Sequence, residues 1–284
     1  MAPTQSKAVL ITGCSTGIGR ATAEHLAEKG WTVYATARRP ETIEDLRAKG
    51  CRTLALDVTD EDSMRAAVQE VEAAEGAVGV LVNNAGYSQS GAVESVQIDD
   101  IRAQFETNVF GLVRMSQLVL PGMRGQQWGK IVNVSSMGGK LTFPGGGIYH
   151  GTKHAVEAIS DALRFEVRKF GVDVIVIEPG LIKTQFAEAA VGKIESGTTS
   201  NGPYAEFNAA VAEATAGAYE GPLGKLGGGP EDVAHKIAKA ISRRRPRTRY
   251  PVTPSARMIL AMHTMLTDRG WEAFTATSFP RPKP

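Results

Sequence analysis

Lys7-Ala8-Val9-Leu10-Ile11-Thr12, followed at once by Gly13-Cys14-Ser15-Thr16-Gly17-Ile18-Gly19, is the stretch that decides the fold. The first six residues make a short apolar run suited to a strand buried on both faces. Arg20 to Lys29 then carries a helical pattern that Gly30 ends. Strand, glycine turn and helix in this order let a backbone approach a phosphate closely, while the helix N-terminus offers free N–H donors and a positive dipole end. Gly13 and Gly17 are separated by three residues, so the spacing departs from the GxGxxG fingerprint. Glycine turns also follow strands that bind nothing, so the rest of the chain must decide.

The same alternation continues outward. Trp31 to Ala37 reads as a second strand and ends in Arg38-Arg39, where many dinucleotide folds place an acid for the ribose hydroxyls; an arginine there attracts a 2′-phosphate and favours NADP(H) over NAD(H). Arg52 to Val58 reads as a third strand, with Asp57 placed either to reach an adenine edge or to cap the helix that begins near Asp60. Val78 to Val82 reads as a fourth, closed by Asn83-Asn84-Ala85-Gly86. A long helix follows, with Ile98, Ile101, Phe105, Leu112 and Met115 on roughly one face and Asn108, an unfavourable helix residue, inside it. Lys130 to Val134 is the fifth strand, with Ser135-Ser136 at its end, and Val172 to Ile177 is the sixth, running into Glu178-Pro179-Gly180. Arg249 to Val252 reads as a last edge strand. The pattern predicts an α/β fold, a Rossmann-type doubly wound parallel sheet of about seven strands with helices on both faces. Ligands of such sheets collect at the carboxyl ends of the strands, where every motif named so far falls.

Tyr149-His150-Gly151-Thr152-Lys153 opens a helix whose inner face is Ala155, Val156, Ile159, Leu163 and Val167. Tyr149 and Lys153 are neighbours on one face of it. A phenol titrates near ~10, so a fixed ammonium beside it would lower that value toward use as a proton shuttle. His150 and His154 share a face too, but no third ligand or carboxylate motif accompanies them and no metal site is expected.

The chain has 284 residues, 42% hydrophobic and 22% charged, with a net charge of +2, which fits one soluble domain with no global drive toward nucleic acid. Two cysteines, Cys14 and Cys51, fit a reduced compartment, and the lack of an eighteen-residue apolar run or a cleavable leader fits a cytoplasmic protein without a transmembrane segment. The arginines from Arg243 to Arg249 read as a solvated helix end. Residues 7–183 form the expected binding and catalytic core. Residues 184–229, weakly patterned and rich in Ala and Gly, form a substrate lid; residues 230–284 form a helix, an edge strand and an extension. On that extension Met258, Ile259, Met262, Met265 and Leu266 share a helical face that packs on the core or on a second subunit.

Together these motifs closely resemble the short-chain dehydrogenase/reductase family, classical subgroup: Thr12-Gly13-x-x-x-Gly17-Ile18-Gly19, Asp57, Asn83-Asn84-Ala85-Gly86, Asn108, Ser136, Tyr149-x-x-x-Lys153, and Pro179-Gly180 with Thr184. The resemblance implies Asn108, Ser136, Tyr149 and Lys153 as the catalytic set. Tyr149 exchanges a proton with the substrate oxygen, Lys153 lowers the Tyr149 pKa and holds the nicotinamide ribose, Ser136 polarises the carbonyl, and Asn108 holds a water against Lys153. It also implies cofactor contacts from Gly13, Ser15, Thr16, Gly17, Ile18, Gly19, Arg38, Asp57, Val58, Asn84, Ala85, Gly86, Tyr149, Lys153, Pro179, Gly180, Ile182 and Thr184. Substrate contacts fall to Ser136, Met137, Phe143, Tyr149 and Phe186, with Leu141 and Ile182 as further walls. Within the family the sequence looks most like members acting on hydroxysteroids, retinoids and related apolar carbonyls, and a homodimer or homotetramer is expected. The alternative is a catalytically silent NADP-binding sensor or scaffold on the same fold.

Overall fold

The computed structural model describes residues 5–184, 202–279 and 281. Its strands are β1 Ala8–Ile11, β2 Thr32–Ala37, β3 Arg52–Ala55, β4 Val80–Asn83, β5 Gly129–Val134, β6 Val172–Glu178 and β7 Arg249–Pro251. They form one seven-stranded sheet in the order β3-β2-β1-β4-β5-β6-β7, every pair parallel. β1 and β4 have all residues buried, as apolar strands covered on both faces must. Strand order reverses between β1 and β4, and that reversal opens a crevice at their carboxyl ends.

The helices are α1 Gly17–Glu28, α2 Glu61–Glu75, α3 Ile98–Phe105, α4 Gly111–Gly125, α5 Gly147–Val167, α6 Ala205–Ala218, α7 Pro222–Lys225, α8 Pro230–Ile241, α9 Pro254–Met265 and α10 Asp268–Thr275. Ala23 and Leu26 of α1 and Val233, Ile237 and Ile241 of α8 cover one face of the sheet. Met64, Val68 and Val71 of α2, Met115, Val119 and Met123 of α4, and Val167 of α5 cover the other. Each of these side chains larger than alanine contributes roughly 1.5–3 kcal/mol by leaving water.

A buried polar ladder ties that second layer to the strands. Asn83 Nδ2 donates to Asn133 Oδ1 at 3.0 Å and to Ser116 Oγ at 3.2 Å, and Asn133 Nδ2 donates to Ser160 Oγ at 2.9 Å. Buried amides are tolerated because they satisfy one another.

Three expectations need correction. The third strand stops at Ala55, short of Val58. The helix from Ile98 is not continuous: a π-helical turn, Glu106–Phe110, separates α3 from α4. Such a turn inserts a residue and rotates the face, so Ile98 is 56% exposed while Leu112 and Met115 are buried. Of the five apolar residues expected to share a face on the extension only Ile259 is buried; Met265 is 86% exposed and Leu266 also faces outward, because α9 ends where the chain turns into α10, so these two do not pack on the core. Among the described residues no helix is long and apolar enough to cross a membrane.

Candidate active site

The glycine turn is built as the sequence requires. Gly13 and Gly17 have φ of +72° and +59°. Gly19 is held for a different reason: a Cβ on it would lie 2.3 Å from the Gly13 carbonyl and 2.5 Å from Asn84 Nδ2. Asn84 fixes the turn by donating to the Thr12 and Gly13 carbonyls at 2.9 and 3.0 Å, and Thr12 Oγ1 accepts from the Asn84 and Ala85 N–H groups. Thr16, the N-cap of α1, makes no side-chain cap, so the helix dipole end is left to the cleft that Ser15, Thr16, Gly17 and Ile18 line.

That cleft has a volume of about 1850 Å³ and runs along the carboxyl ends of the strands. Arg38, Asp57, Val58, Asn84, Ala85 and Gly86 line one part of it, and Pro179, Gly180, Ile182 and Thr184 another. Arg38 is exposed and borders the cleft, whereas Arg39 does not reach it. Asp57 is not the cap of α2. Its carboxylate accepts from the Thr59 N–H and hydroxyl, while Asp60 caps by accepting from the Ser63 N–H at 2.8 Å. A left-handed glycine turn, an uncapped helix N-terminus and a nearby guanidinium are the donor set a dinucleotide phosphate chain needs, so the residues fit such a cofactor.

At the other end Tyr149, Lys153 and Ser136 share one wall. Ser136 N-caps a short 3-10 turn, Met137–Gly139, and accepts from the Gly138 N–H at 3.1 Å. It is also hydrogen-bonded to Tyr149. Ser135 makes no such contact; its hydroxyl is buried and unpartnered. Lys153 Nζ donates to the Val134 carbonyl at 2.9 Å and stands 5.8 Å from the centre of the Tyr149 ring. Asn108 sits in the π turn. It accepts from the Tyr87 N–H at 3.0 Å and donates to the Tyr87 carbonyl and to Thr152 Oγ1.

The electrostatics depart from the expectation that Lys153 lowers Tyr149. Burial pushes the Tyr149 phenol well above the usual phenol range, with Tyr219 adding to the rise and the Ser136 hydrogen bond opposing it. Lys153 is itself pushed down to about 8 by burial, against the pull of Glu157. Removing both groups from water disfavours each charge more than their proximity favours it.

Two residues on these walls escaped the sequence reading as site groups. His150 Nδ1 accepts from the Phe143 N–H at 3.2 Å, and burial pushes the ring down to about 4, so it is neutral. With His154 Nδ1 bonded to the His150 carbonyl, the two rings serve local contacts; among the described residues no cluster of metal ligands occurs. Adjacency to Tyr149 was the available signal. Tyr219, which follows α6, reaches the cleft from a segment with no motif to mark it. Met137 and Phe143 line the cleft as expected, Leu141 is buried behind it, and Phe186 lies outside the described residues.

The family described as short chain dehydrogenase matches residues 7–194. The chain is a short-chain dehydrogenase. An NADPH-dependent 3-dehydrocapnine reductase from Ornithobacterium rhinotracheale is 36% identical to it over 269 residues, covering 92% of this chain and 93% of the relative. Among solved structures, a short-chain dehydrogenase from Streptomyces avermitilis superposes with a TM-score of 0.79 at 36% identity, covering 92% and 93% of the two chains. A short chain dehydrogenase/reductase from Burkholderia phymatum in complex with NAD gives 0.78 at 27% identity, covering 100% and 99%. The dehydrogenase is therefore an oxidoreductase acting between CH–OH and C=O, and solved structures similar to it include ones in complex with NADP+ and with NAD.

Proposed function

We propose that this dehydrogenase is an NADP(H)-dependent carbonyl reductase and alcohol dehydrogenase for an apolar substrate, with Tyr149 as proton donor and acceptor. The observation that carries this reading is the Ser136–Tyr149 hydrogen bond beside Lys153, in one cleft with the glycine turn and Arg38. The bound cofactor supplies or accepts the hydride. Tyr149, its phenol held protonated by burial, gives a proton to the carbonyl oxygen, and Ser136 holds that oxygen by a second hydrogen bond. Lys153, pushed down to about 8, keeps its charge at neutral pH and stands as a fixed cation beside the Tyr149 ring. Asn108 braces the Lys153 wall through Tyr87 and Thr152, and its carboxamide oxygen is the group proposed to hold a water there.

Preference for NADP(H) rests on Arg38, exposed at the end of β2 where an acid would select NAD(H), and is in keeping with the NADPH-dependent relative. Apolar walls support a steroid, retinoid or similar substrate: Met137, Phe143, Val211 of α6, Met258 and Met262 of α9 and Phe279 line the cleft, with the Phe143 and Phe279 rings 6.3 Å apart. Of the segment 184–229, the described residues 202–229 are read as part of the lid because α6 and Tyr219 border the cleft; residues 185–201 lie outside the described residues. A homodimer or homotetramer in the cytoplasm completes the reading, supported by exposed Phe110 and Phe165 beside α4 and on α5.

The test is consumption of NADPH, with NADH as control, over a panel of steroid ketones, retinal, aliphatic aldehydes, acyl ketones and sugars, for wild type and Tyr149→Phe. NADPH-dependent turnover of an apolar carbonyl that drops by roughly 10²–10⁴ in the variant is expected. Full activity in the variant refutes the role of Tyr149; faster turnover with NADH refutes that of Arg38.

A further inference from the structure

At the pole opposite the cleft, by the amino ends of β5 and β6, lies a second hollow of about 1100 Å³. Arg243, Arg244, Arg245 and Arg247 reach it from the loop after α8, and Arg168 from the turn after α5. Asp173 is the one carboxylate among the described residues lining it.

The structure separates these arginines from Arg249, with which the sequence groups them. Arg249 lies on β7 and is bound to Glu157 at 2.9 Å and Asp161 at 2.7 Å. Arg20, Arg47, Arg52, Arg65 and Arg114 also have carboxylate partners. Arg168, Arg243, Arg244, Arg245 and Arg247 have none within ion-pair distance among the described residues, although all five are exposed. Arg38, at the proposed 2′-phosphate end, is left open in the same way.

A solvated helix end does not account for this. The dipole of α8 fades within its last turn, and the helix stops at Ile241, so Arg244, Arg245 and Arg247 gain little from it. Their loop is nevertheless pinned by the core. Buried Lys130 donates to the Arg243 carbonyl at 3.0 Å and spends its charge on Asp173 at 2.8 Å. The Arg247 N–H donates to Tyr250 Oη at 2.9 Å, and the Thr248 carbonyl accepts from Val176 N–H. Like charges held on a fixed loop repel one another, and an anion of matching geometry relieves that repulsion. Arg164, also on the wall, has a buried Nη2 with no partner, and Trp31 and Trp128 supply two half-buried indoles beside the charges.

We propose that this hollow is a binding site for a phosphate-bearing anion with at least two negative charges, free in solution or displayed as a lipid headgroup. Guanidinium forks suit phosphate oxygens bidentately, which is why arginine serves here better than lysine would. The site lies at the opposite end of the strands from the candidate active site, so it does not depend on the cofactor reading.

The test uses inorganic pyrophosphate as the free probe, titrated calorimetrically into protein already saturated with dinucleotide so that the Arg38 end is filled. Vesicles of phosphatidylcholine, with and without phosphatidic acid, are the lipid probe, read by co-sedimentation. Each is run on wild type and on the Arg243→Gln/Arg244→Gln/Arg245→Gln variant, whose exposed substitutions leave the melting temperature and carbonyl turnover unchanged. Wild type is expected to bind one or both probes, more weakly as salt rises, and the variant to lose about ten-fold or more. Pyrophosphate binding assigns the free source, and binding only to vesicles that contain phosphatidic acid assigns the headgroup. Failure of wild type to bind either probe, or equal binding by the variant, overturns the proposal.

Discussion

Glu178 closes β6 immediately before Pro179-Gly180 and is 3% exposed. Its carboxylate lies 3.5 Å from Arg249 Nε, a guanidinium already engaged by Glu157. Burial first, then the neighbouring Glu157 charge, pushes the Glu178 carboxyl up from 4.5 to about 7. The folded chain thus holds this proton more tightly than the unfolded one. Its contribution to stability is fully present below the unfolded value and lost as pH rises through about 7. Glu178→Gln, which keeps the shape without the charge, should match wild type near about pH 4.5 and exceed it at pH 8, by on the order of 2–3 kcal/mol. Lys153, depressed to about 8, acts with the opposite sign above that pH, but it is common to both proteins and cancels in their difference. Urea denaturation of both proteins across this range checks the point; a gap that does not change with pH removes the assigned charge on Glu178.

The element that most rewards substitution is the turn into α1. Gly30, which follows α1, has φ of +79° and open space where a Cβ would stand, so Gly30→Ala meets only the left-handed backbone cost of about 1–2 kcal/mol. Gly19→Ala drives a methyl into the Gly13 carbonyl, a main-chain atom that cannot swing away. It should cost more than Gly30→Ala in thermal stability and weaken dinucleotide binding, while Gly30→Ala binds normally; equal binding in calorimetry would detach Gly19 from the phosphate turn. This element was legible in the sequence because its determinants are local: an apolar run, glycines, then helical periodicity. Ser136 was legible because strand ends in a parallel sheet converge on one edge, and Tyr149 because it precedes Lys153 by one helical turn. The break at Asn108 was not legible, because the partner that holds the π turn is the main chain of Tyr87, on a different segment. Nor was the raised Tyr149 pKa, which depends on how completely distant parts of the chain, Tyr219 among them, wall the phenol off from water.

For the whole molecule, the two thiols report on how the fold opens. Cys14 sits in the glycine turn and Cys51 just before β3; both are buried in the sheet face that α1 covers. Burial pushes them up to about 12 and about 11, so neither offers a thiolate at neutral pH and reagent must wait for an opening. If that opening is global, a ligand that binds only the folded chain slows labelling of both thiols by the same factor, about 100-fold when its concentration is 100 times its dissociation constant. If the turn opens by itself, Cys14 is labelled first and dinucleotide protects it alone, because Cys51 Sγ is anchored to the Ala23 carbonyl at 3.6 Å on the far side of α1. The shared core cluster argues for the first outcome: Cys14, Ala23, Leu26 and Cys51 pack in one continuous layer, and exposing either thiol uncovers that layer. Iodoacetamide labelling with and without NADP+, followed peptide by peptide in a mass spectrometer, should therefore show equal protection at Cys14 and Cys51. Protection confined to Cys14 would show instead that the phosphate turn is a separate, weaker unit that the cofactor closes.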